Sequence, residues 1–352
     1  MKKESINRLY GLDLLKILSM VLITVIHFID WANILEMRDI SLVNKAIFSF
    51  CYALTTVSVN SFVMITGYFQ TDKSVNFKRV FSLWINVIIV AVLLLLGMVL
   101  LRQPVGKMNV IKTVFPMLTV NYWFLSSYIV LCIASPFLNI LIKNMDKHKH
   151  SLLCIVGFLL ICVYYTTNPF ITEMIYVGHP RGILWFCYLY FVAAYIKKYD
   201  INIKKGMLIN LIIILIFIMS VITMFDARKI GNINLLGNYA ILPFLCSVLV
   251  FLLFKSFTIS GTWLKNTIVE LAECSFYVYI IQEHDVVRSW YWSLFTAFEN
   301  GQDFKIIVAF LSSLVVLWPA AFIINKILKL FKPMVDKMYL MGEKMIIKIF
   351  KL

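Results

Sequence analysis

Lys16 and His27 are the residues whose types and spacing first suggest chemistry. They lie 11 positions apart in a long apolar run that begins at Leu12. In an α-helix, 11 residues cover three turns plus about 20°, so both side chains lie on one stripe, about 16 Å apart along the axis. A cation and an imidazole inside an apolar helix are costly in lipid, and by default they mark a functional cavity.

His27 is a candidate general base or nucleophile, because an imidazole exchanges protons near neutral pH. Asp30 follows three residues later and could orient the ring as a helical neighbour. The alternatives are a neutral His27 that hydrogen-bonds to a neighbouring helix and an Asp30 that is a solvated carboxylate at the outer boundary.

Three further cations could face an anionic ligand on the inner side of the membrane. Lys16 could do so, or it could extend its amine to the inner surface or pair with Asp13. Lys78 and Arg79 open a later apolar run, where ordinary membrane topology also places basic residues. An anionic ligand would need such cations close to the membrane, and Arg can bind phosphate with two hydrogen bonds.

The composition is that of a membrane protein. The chain has 352 residues, of which 61% are hydrophobic and 14% charged, against about 25% charged in soluble domains. The net charge of +15 is explained by membrane topology, so no nucleic-acid partner is expected. No P-loop, HExxH, GxSxG or zinc-spaced His/Cys pattern occurs, so neither a metal site nor a tightly bound cofactor is predicted.

Hydropathy predicts an all-α integral membrane protein, a bundle of about ten transmembrane helices. Roughly 22 Lys and Arg residues lie in the connections on the N-terminal side of the membrane and roughly 10 on the other side, which predicts that both termini are cytoplasmic. The predicted spans are 12–32, 44–69, 80–101, 122–142, 151–168, 181–196, 207–225, 238–256, 266–282 and 305–329.

The chain divides into one transmembrane domain, residues 1–331, and a tail, residues 332–352. Lysines in and just before this tail alternate with apolar clusters, which favours a basic amphipathic helix on the anionic inner leaflet. The alternative is the solvated end of the last span.

Several segments, in order along the chain, resemble motifs of membrane acyltransferase family 3. Its members open with Arg or Lys, ten residues and then His, as Lys16 and His27 do. Residues 61–69 are similar to the end of its second span, with Thr66 in the usual place of Ser, and 77–79 to the basic start of its third. Further similar segments are 122–139, 184–195 and 274–281. The last segment usually ends in His, where this chain has Gln282, with His284 two residues on.

The resemblance implies a membrane O-acyltransferase that moves acetyl from cytoplasmic acetyl-CoA, a co-substrate, to a hydroxyl of a glycan or glycolipid acceptor. It implies catalysis by His27, as base or transient acyl carrier, together with Lys16. The remaining candidates are donor-binding residues and acceptor-side residues. The donor-binding set is Lys78, Arg79, Thr66, Gly67 and Tyr68, and the acceptor-side set is Asp30, Trp123, Gln282 and His284.

The resemblance extends to members from Gram-positive bacteria that modify exopolysaccharide or capsule, which implies a location in the cell membrane. Two other functions stay open. One is a glycolipid or polysaccharide transporter with His27 in a proton path, for which Glu270 and Glu273 are the best relay candidates. The other is an assembly protein that has lost catalysis. The sequence leaves the acceptor sugar and the oligomeric state open.

Overall fold

The computed structural model describes residues 8–37, 39–74, 76–116, 122–167, 182–226, 229–230, 233–296 and 303–350. These residues are helical apart from short connections and two paired strands of two residues each, β1 (Lys229–Ile230) and β2 (Ile233–Asn234). The helices are α1 (Tyr10–Trp31), α2 (Leu42–Thr55), α3 (Ser58–Gln70), α4 (Phe77–Leu100), α5 (Lys107–Val114), α6 (Trp123–Asn144), α7 (Lys147–Gly157), α8 (Tyr164–Thr167), α9 (Ile183–Lys198), α10 (Lys205–Met224), α11 (Ile241–Lys255), α12 (Thr262–Glu283), α13 (Asp285–Thr296) and α14 (Asp303–Phe350). A 3-10 turn (Ile34–Glu36) follows α1, and a π-helical segment (Phe158–Val163) joins α7 to α8.

Six helical stretches among the described residues are long and apolar enough to cross a membrane. They are α1, α2 together with α3, α4, α6, α10 and most of α14. The all-helical membrane class is therefore confirmed, whereas a total of ten spans stays a prediction. Helix α11 is apolar but shorter, and α12 carries charged residues such as Lys265, Glu270 and Glu273. Boundary positions 168 and 181 of the predicted fifth and sixth spans lie outside the described residues.

Helix α1 lies at the centre of the bundle. It packs against α2, α3, α11, α12, α13 and α14. In its most apolar stretch 61% of the residues are buried, against 22% in α4, α10 and α14, whose apolar side chains face outward. An apolar helix with an exposed apolar surface is suited to contact lipid, so the polar groups of the central helix are shielded from it.

Helices α3 and α9 approach each other closely at Gly67. A Cβ atom added at Gly67 would lie 2.9 Å from Cα of Tyr190 and 3.1 Å from Cβ of Ala193. Only glycine fits such a backbone approach, as is usual where membrane helices pack through small residues. This contact positions the C-terminal end of α3 and the connection that follows it.

Helix α14 continues without a break through residues 331 and 332, where the sequence predicts the border between span and tail. It has 48 residues, with Pro319 and Pro333 inside it. At about 1.5 Å per residue it is about 72 Å long, more than twice the roughly 30 Å hydrocarbon core of a bilayer. Its C-terminal half therefore extends beyond the apolar layer as part of the same helix.

Candidate active site

His27 lies one turn before the end of α1 and contacts the end of α12. Its Nδ1 is 3.2 Å from Oε1 of Gln282, which is fully buried. Its Nε2 is 3.2 Å from Oε1 of Glu283. These distances allow a neutral ring to donate from Nε2 to Glu283, and Nδ1, beside the Gln282 side-chain amide, is then the nitrogen that can take up a proton. The imidazole keeps 22% of its side-chain surface exposed, so a small group can reach it.

Glu283 is held from its other side by Arg288 on α13. The Arg288 guanidinium lies 3.7 Å from Oε2 of Glu283 and 3.8 Å from Oδ1 of Asp285. Asp285 also accepts hydrogen bonds from Lys112, at 3.0 Å, and Asn109, at 2.9 Å, both on α5. Burial alone would raise the pKa of Asp285, but these partners outweigh it and hold the pKa below its ordinary value. An ionised Asp285 therefore fixes Arg288, and Arg288 fixes Glu283.

A cavity of about 190 Å³, which we call the His27 cavity, opens beside the imidazole. Asp30 and Trp123, both predicted from the sequence, line it. Its other lining residues combine aromatic rings with small polar groups, among them Tyr52, Thr55, Ser58, Asn238 and Tyr279. The cavity therefore has aromatic faces and several hydrogen-bonding groups within reach of one imidazole.

A second, larger cavity of about 980 Å³, which we call the Lys16 cavity, lies at the opposite end of the α1 stripe. Its lining includes four basic residues, Arg8, Lys16, Lys73 and Arg79, and three acidic residues, Asp13, Asp72 and Glu273. Arg8 and Asp13 neutralise each other in the cavity wall, because Arg8 Nε donates a hydrogen bond to Asp13 Oδ2 at 2.6 Å. Lys16 Nζ is 4.0 Å from Oδ1 of the same Asp13 and is 29% exposed.

The structure separates the two basic residues that open α4. Arg79 lines the Lys16 cavity. Lys78 instead lies 3.1 Å from Asp336 on α14 and does not line the cavity. Consecutive helical residues point about 100° apart, so one of the two faces the cavity while the other faces α14.

The three residues at the end of α3 are also placed differently from one another. Thr66 lines the Lys16 cavity, and its hydroxyl donates to the carbonyl of Phe62 at 3.2 Å. Gly67 makes the close contact with α9 described above. The Tyr68 ring packs against Phe69 and Phe251, away from the lining of both cavities.

His284 is buried next to the site without lining either cavity. The backbone N–H of Val287 donates to its Nδ1 at 3.4 Å, so the imidazole caps the first turn of α13. Gln282 and Glu283, rather than His284, are the residues of this segment that contact His27. No group of three or more His, Cys, Asp or Glu residues within the described part of the chain could hold a metal ion.

A hydrogen-bond clamp holds the connection between α3 and α4, which forms part of the Lys16 cavity wall. The Asn139 amide donates to the carbonyls of Gln70, at 3.0 Å, and Lys73, at 2.9 Å. Tyr190 donates to the Asn139 side-chain oxygen at 2.8 Å. Nearby, Lys197 donates to the carbonyl of Thr71 at 2.7 Å.

A family model described as an acyltransferase domain matches residues 9–326. This chain belongs to acyltransferase family 3. The match includes α1, the segment that ends in Glu283 and the lining of both cavities apart from Arg8. No curated protein and no solved structure matches the chain.

Membership makes the chain a membrane acyltransferase by family, and the geometry adds residues that the sequence reasoning missed. Glu283 follows the motif position of Gln282, yet only the fold brings it to His27. Arg288 begins the second turn of α13, in an aromatic stretch that the sequence predicts to be interfacial, and the fold brings it to Glu283. The sequence does carry one signal of this cluster, since four charged or titratable residues, 283–285 and 288, lie directly after an apolar span.

Proposed function

We propose that this protein is a membrane O-acyltransferase of the cell membrane. It transfers an acetyl group from cytoplasmic acetyl-CoA to a hydroxyl of a cell-surface polysaccharide or its lipid-linked precursor. The observation that carries the proposal is the pair of cavities at the two ends of the α1 stripe. One has four basic residues in its wall and three acidic residues that each pair with a basic one, and the other holds an imidazole with a carboxylate partner.

The Lys16 cavity suits a large anionic donor. Its volume of about 980 Å³ is at the upper end for small-molecule sites, and it holds Arg79, Lys73 and Lys16 along its wall. Arginine forms bidentate hydrogen bonds with phosphate, and lysine contributes a point charge. In this proposal the nucleotide and phosphates of the donor lie at Arg79, and the thioester arm runs along α1 toward His27.

The His27 cavity suits one sugar unit of the acceptor. Its volume of about 190 Å³ is small, and Trp123 and Tyr52 offer aromatic faces while Asp30 and Asn238 offer hydrogen-bonding groups. Such a mixture of apolar surface with a few polar groups is typical of sites that orient a small ligand. The acceptor hydroxyl is thereby placed beside the imidazole.

In the transfer step, the acceptor oxygen attacks the thioester carbon while its proton moves to His27. The new C–O bond forms, the C–S bond breaks, and the leaving thiolate takes the proton from His27, which returns the ring to its neutral form. A positioned base of this kind accelerates a reaction by about 10²–10⁴-fold. Glu283 orients the ring and balances the charge of the imidazolium, as the carboxylate does in carboxylate–histidine pairs. A two-step route, with His27 acylated first, uses the same contacts.

The transporter alternative has weaker support in the geometry. Its relay candidates, Glu270 and Glu273, lie 3.9 Å from Lys326 and 3.2 Å from Lys329 of α14. All four side chains are about half exposed, and Glu273 also lines the Lys16 cavity. Exposed ion pairs of this kind do not form a buried proton path.

The decisive experiment uses purified full-length protein in lipid vesicles, radiolabelled acetyl-CoA and a pool of surface glycans. We expect label in the glycan with wild type and a loss of about 10²-fold or more with His27→Ala. Lys78→Ala, which removes a cation outside both cavities, is the matched control and should retain transfer. Glycan movement across the bilayer without label would support the transporter, and full transfer by His27→Ala would overturn the catalytic assignment.

A further inference from the structure

The two cavities meet at one side chain, Phe124. Among the described residues, Phe124 alone lines both the His27 cavity and the Lys16 cavity. It occupies the first turn of α6 and is 6% exposed. Phe124 is therefore the one described residue that the walls of both cavities share.

Phe124 is held in place by aromatic neighbours on three helices. Its ring lies 5.8 Å from Phe62 on α3, 5.6 Å from Phe186 on α9 and 5.7 Å from Tyr279 on α12. The Tyr279 hydroxyl accepts a hydrogen bond from the Phe124 backbone N–H at 3.3 Å. Aromatic contacts of this kind favour one position of the Phe124 ring. The ring can still turn aside, because an aromatic side chain rotates about two torsions.

The position of Phe124 between the cavities limits where the thioester of a bound donor can lie. The anionic end of the donor lies with Lys16 and Arg79, whereas His27 lines the other cavity. The reacting thioester must therefore arrive at the partition between them. The part of the acyl chain beyond the thioester carbon must therefore fit beside the Phe124 ring and the acceptor.

We propose that Phe124 is the partition between donor and acceptor cavities and the residue that limits acyl length. The proposal rests on the proposed acyltransferase function. With the ring in place, an acetyl group fits beside His27 and longer chains collide with the ring. The same ring closes the path between the two cavities when no donor is bound, which keeps water away from the thioester.

The first test measures the partition without any acyl transfer. Val59 lines the His27 cavity, and the native Cys132 lines the Lys16 cavity, so Val59→Cys places one thiol on each side of Phe124. Vesicles are treated with a slender, membrane-impermeant thiol reagent from the side that labels Cys132, and mass spectrometry reads each site separately. We expect Cys132 to react in every variant, and the residue 59 thiol to react at least tenfold faster after Phe124→Ala or Phe124→Leu.

The matched control is Phe186→Ala. Phe186 belongs to the same aromatic cluster and is fully buried, but it lines neither cavity. It should loosen the packing without opening the path. Equal labelling of the residue 59 thiol in wild type and Phe124→Ala, with Cys132 labelled in both, would overturn the partition whether or not the protein transfers acyl groups.

The second test measures acyl length with acetyl-, butyryl- and octanoyl-CoA. We expect Phe124→Ala to raise the ratio of butyryl to acetyl transfer at least tenfold, Phe124→Trp to lower it and Phe186→Ala to leave it unchanged. An unchanged ratio in an active Phe124→Ala protein would overturn the role in specificity. Wild-type protein that transfers no acyl group would instead refute the proposed function, and the labelling result would still decide the partition.

Discussion

At the residue scale, the site depends on a buried pair formed by residues far apart in the chain. His27 and Gln282 meet across 255 positions, and Glu283 completes the contact on the other ring nitrogen. An imidazole held by a carboxylate is oriented for proton transfer, and the carboxylate stabilises the cation that results. Glu283 is thus a positioning residue whose effect is exerted through His27.

We predict that Glu283→Gln lowers kcat by about 10²-fold or more, because the amide cannot balance the charge of the imidazolium. The KM for acetyl-CoA should change little, since Glu283 lies outside the Lys16 cavity. Initial rates over a range of donor concentrations separate the two parameters. Glu283→Asp should restore part of the rate, and Glu270→Gln, at an exposed ion pair on the same helix, should have no effect. A raised KM with unchanged kcat would contradict this role.

The neighbours Lys78 and Arg79 give the second prediction at this scale. Arg79→Ala should raise the KM for acetyl-CoA about 10- to 100-fold, since a hydrogen bond to a charged group contributes about 1.5–3 kcal/mol. Lys78→Ala should leave that KM unchanged, because Lys78 pairs with Asp336 at a half-exposed position. Titration of the donor against fixed acceptor provides the measurement, and equal KM effects of the two substitutions would refute the distinction.

At the scale of elements, the connection from α3 to α4 is the part of the Lys16 cavity whose shape depends on a clamp. Asn139 of α6 holds two of its carbonyls and is itself held by Tyr190 of α9. Helices α6 and α9 therefore fix one short segment, and Gly67 sets the distance between α3 and α9.

Asn139→Ala should raise the KM for acetyl-CoA several-fold while kcat at saturating donor stays near wild type. The substitution removes two hydrogen bonds, each with a net contribution of about 1 kcal/mol, from the connection rather than from the reacting groups. Asn144→Ala is the control on the same helix, because that amide donates to the carbonyl of Ile140 within α6 itself. Donor kinetics of both variants decide the question, and a fall in kcat alone would place Asn139 in another role.

Gly67→Ala should destabilise the protein by about 1–3 kcal/mol, because the added Cβ meets the α9 backbone at 2.9 Å. Gly97→Ala on α4 has nothing within 4 Å of the added Cβ and should be neutral or slightly stabilising. Thermal unfolding of both variants in the same detergent compares the midpoints. Equal midpoints would show that α3 and α9 tolerate a wider separation.

At the scale of the whole molecule, the bundle surrounds one polar stripe on α1. Its exposed apolar side chains lie on outer helices such as α4, α10 and α14, where they suit lipid, while charges of the stripe lie inside. The excess of basic residues in the connections on one side predicts that the Lys16 cavity opens to the cytoplasm and the His27 cavity lies toward the outside.

We predict that both termini are cytoplasmic. Reporter fusions at residue 352 and at the N-terminus, each active on only one side of the membrane, test this directly. Lysines on the extended end of α14 should react with an impermeant amine reagent in inside-out vesicles and not in intact cells. Activity of either fusion on the outer side would reverse the direction assigned to the two cavities.

The sequence alone determined the helical membrane class, the shared helix face of Lys16 and His27, and the family. Apolar runs fixed the helical membrane class, and the spacing of Lys16 and His27 placed both on one face of one helix, because helical geometry is set by positions a few residues apart. Ordered motifs identified the family, which the match over residues 9–326 confirms.

Tertiary structure alone decided which groups act together. It brought Glu283 to His27, turned Arg79 toward the Lys16 cavity and Lys78 toward α14, and placed Phe124 between the cavities. Local sequence does not specify which residues these side chains meet, since the contacts join residues on different helices. The sequence placed Lys16 and His27 on one face of α1. The packing of the other helices around α1 placed Glu283 beside His27, Arg79 in the wall of the Lys16 cavity and Phe124 between the two cavities.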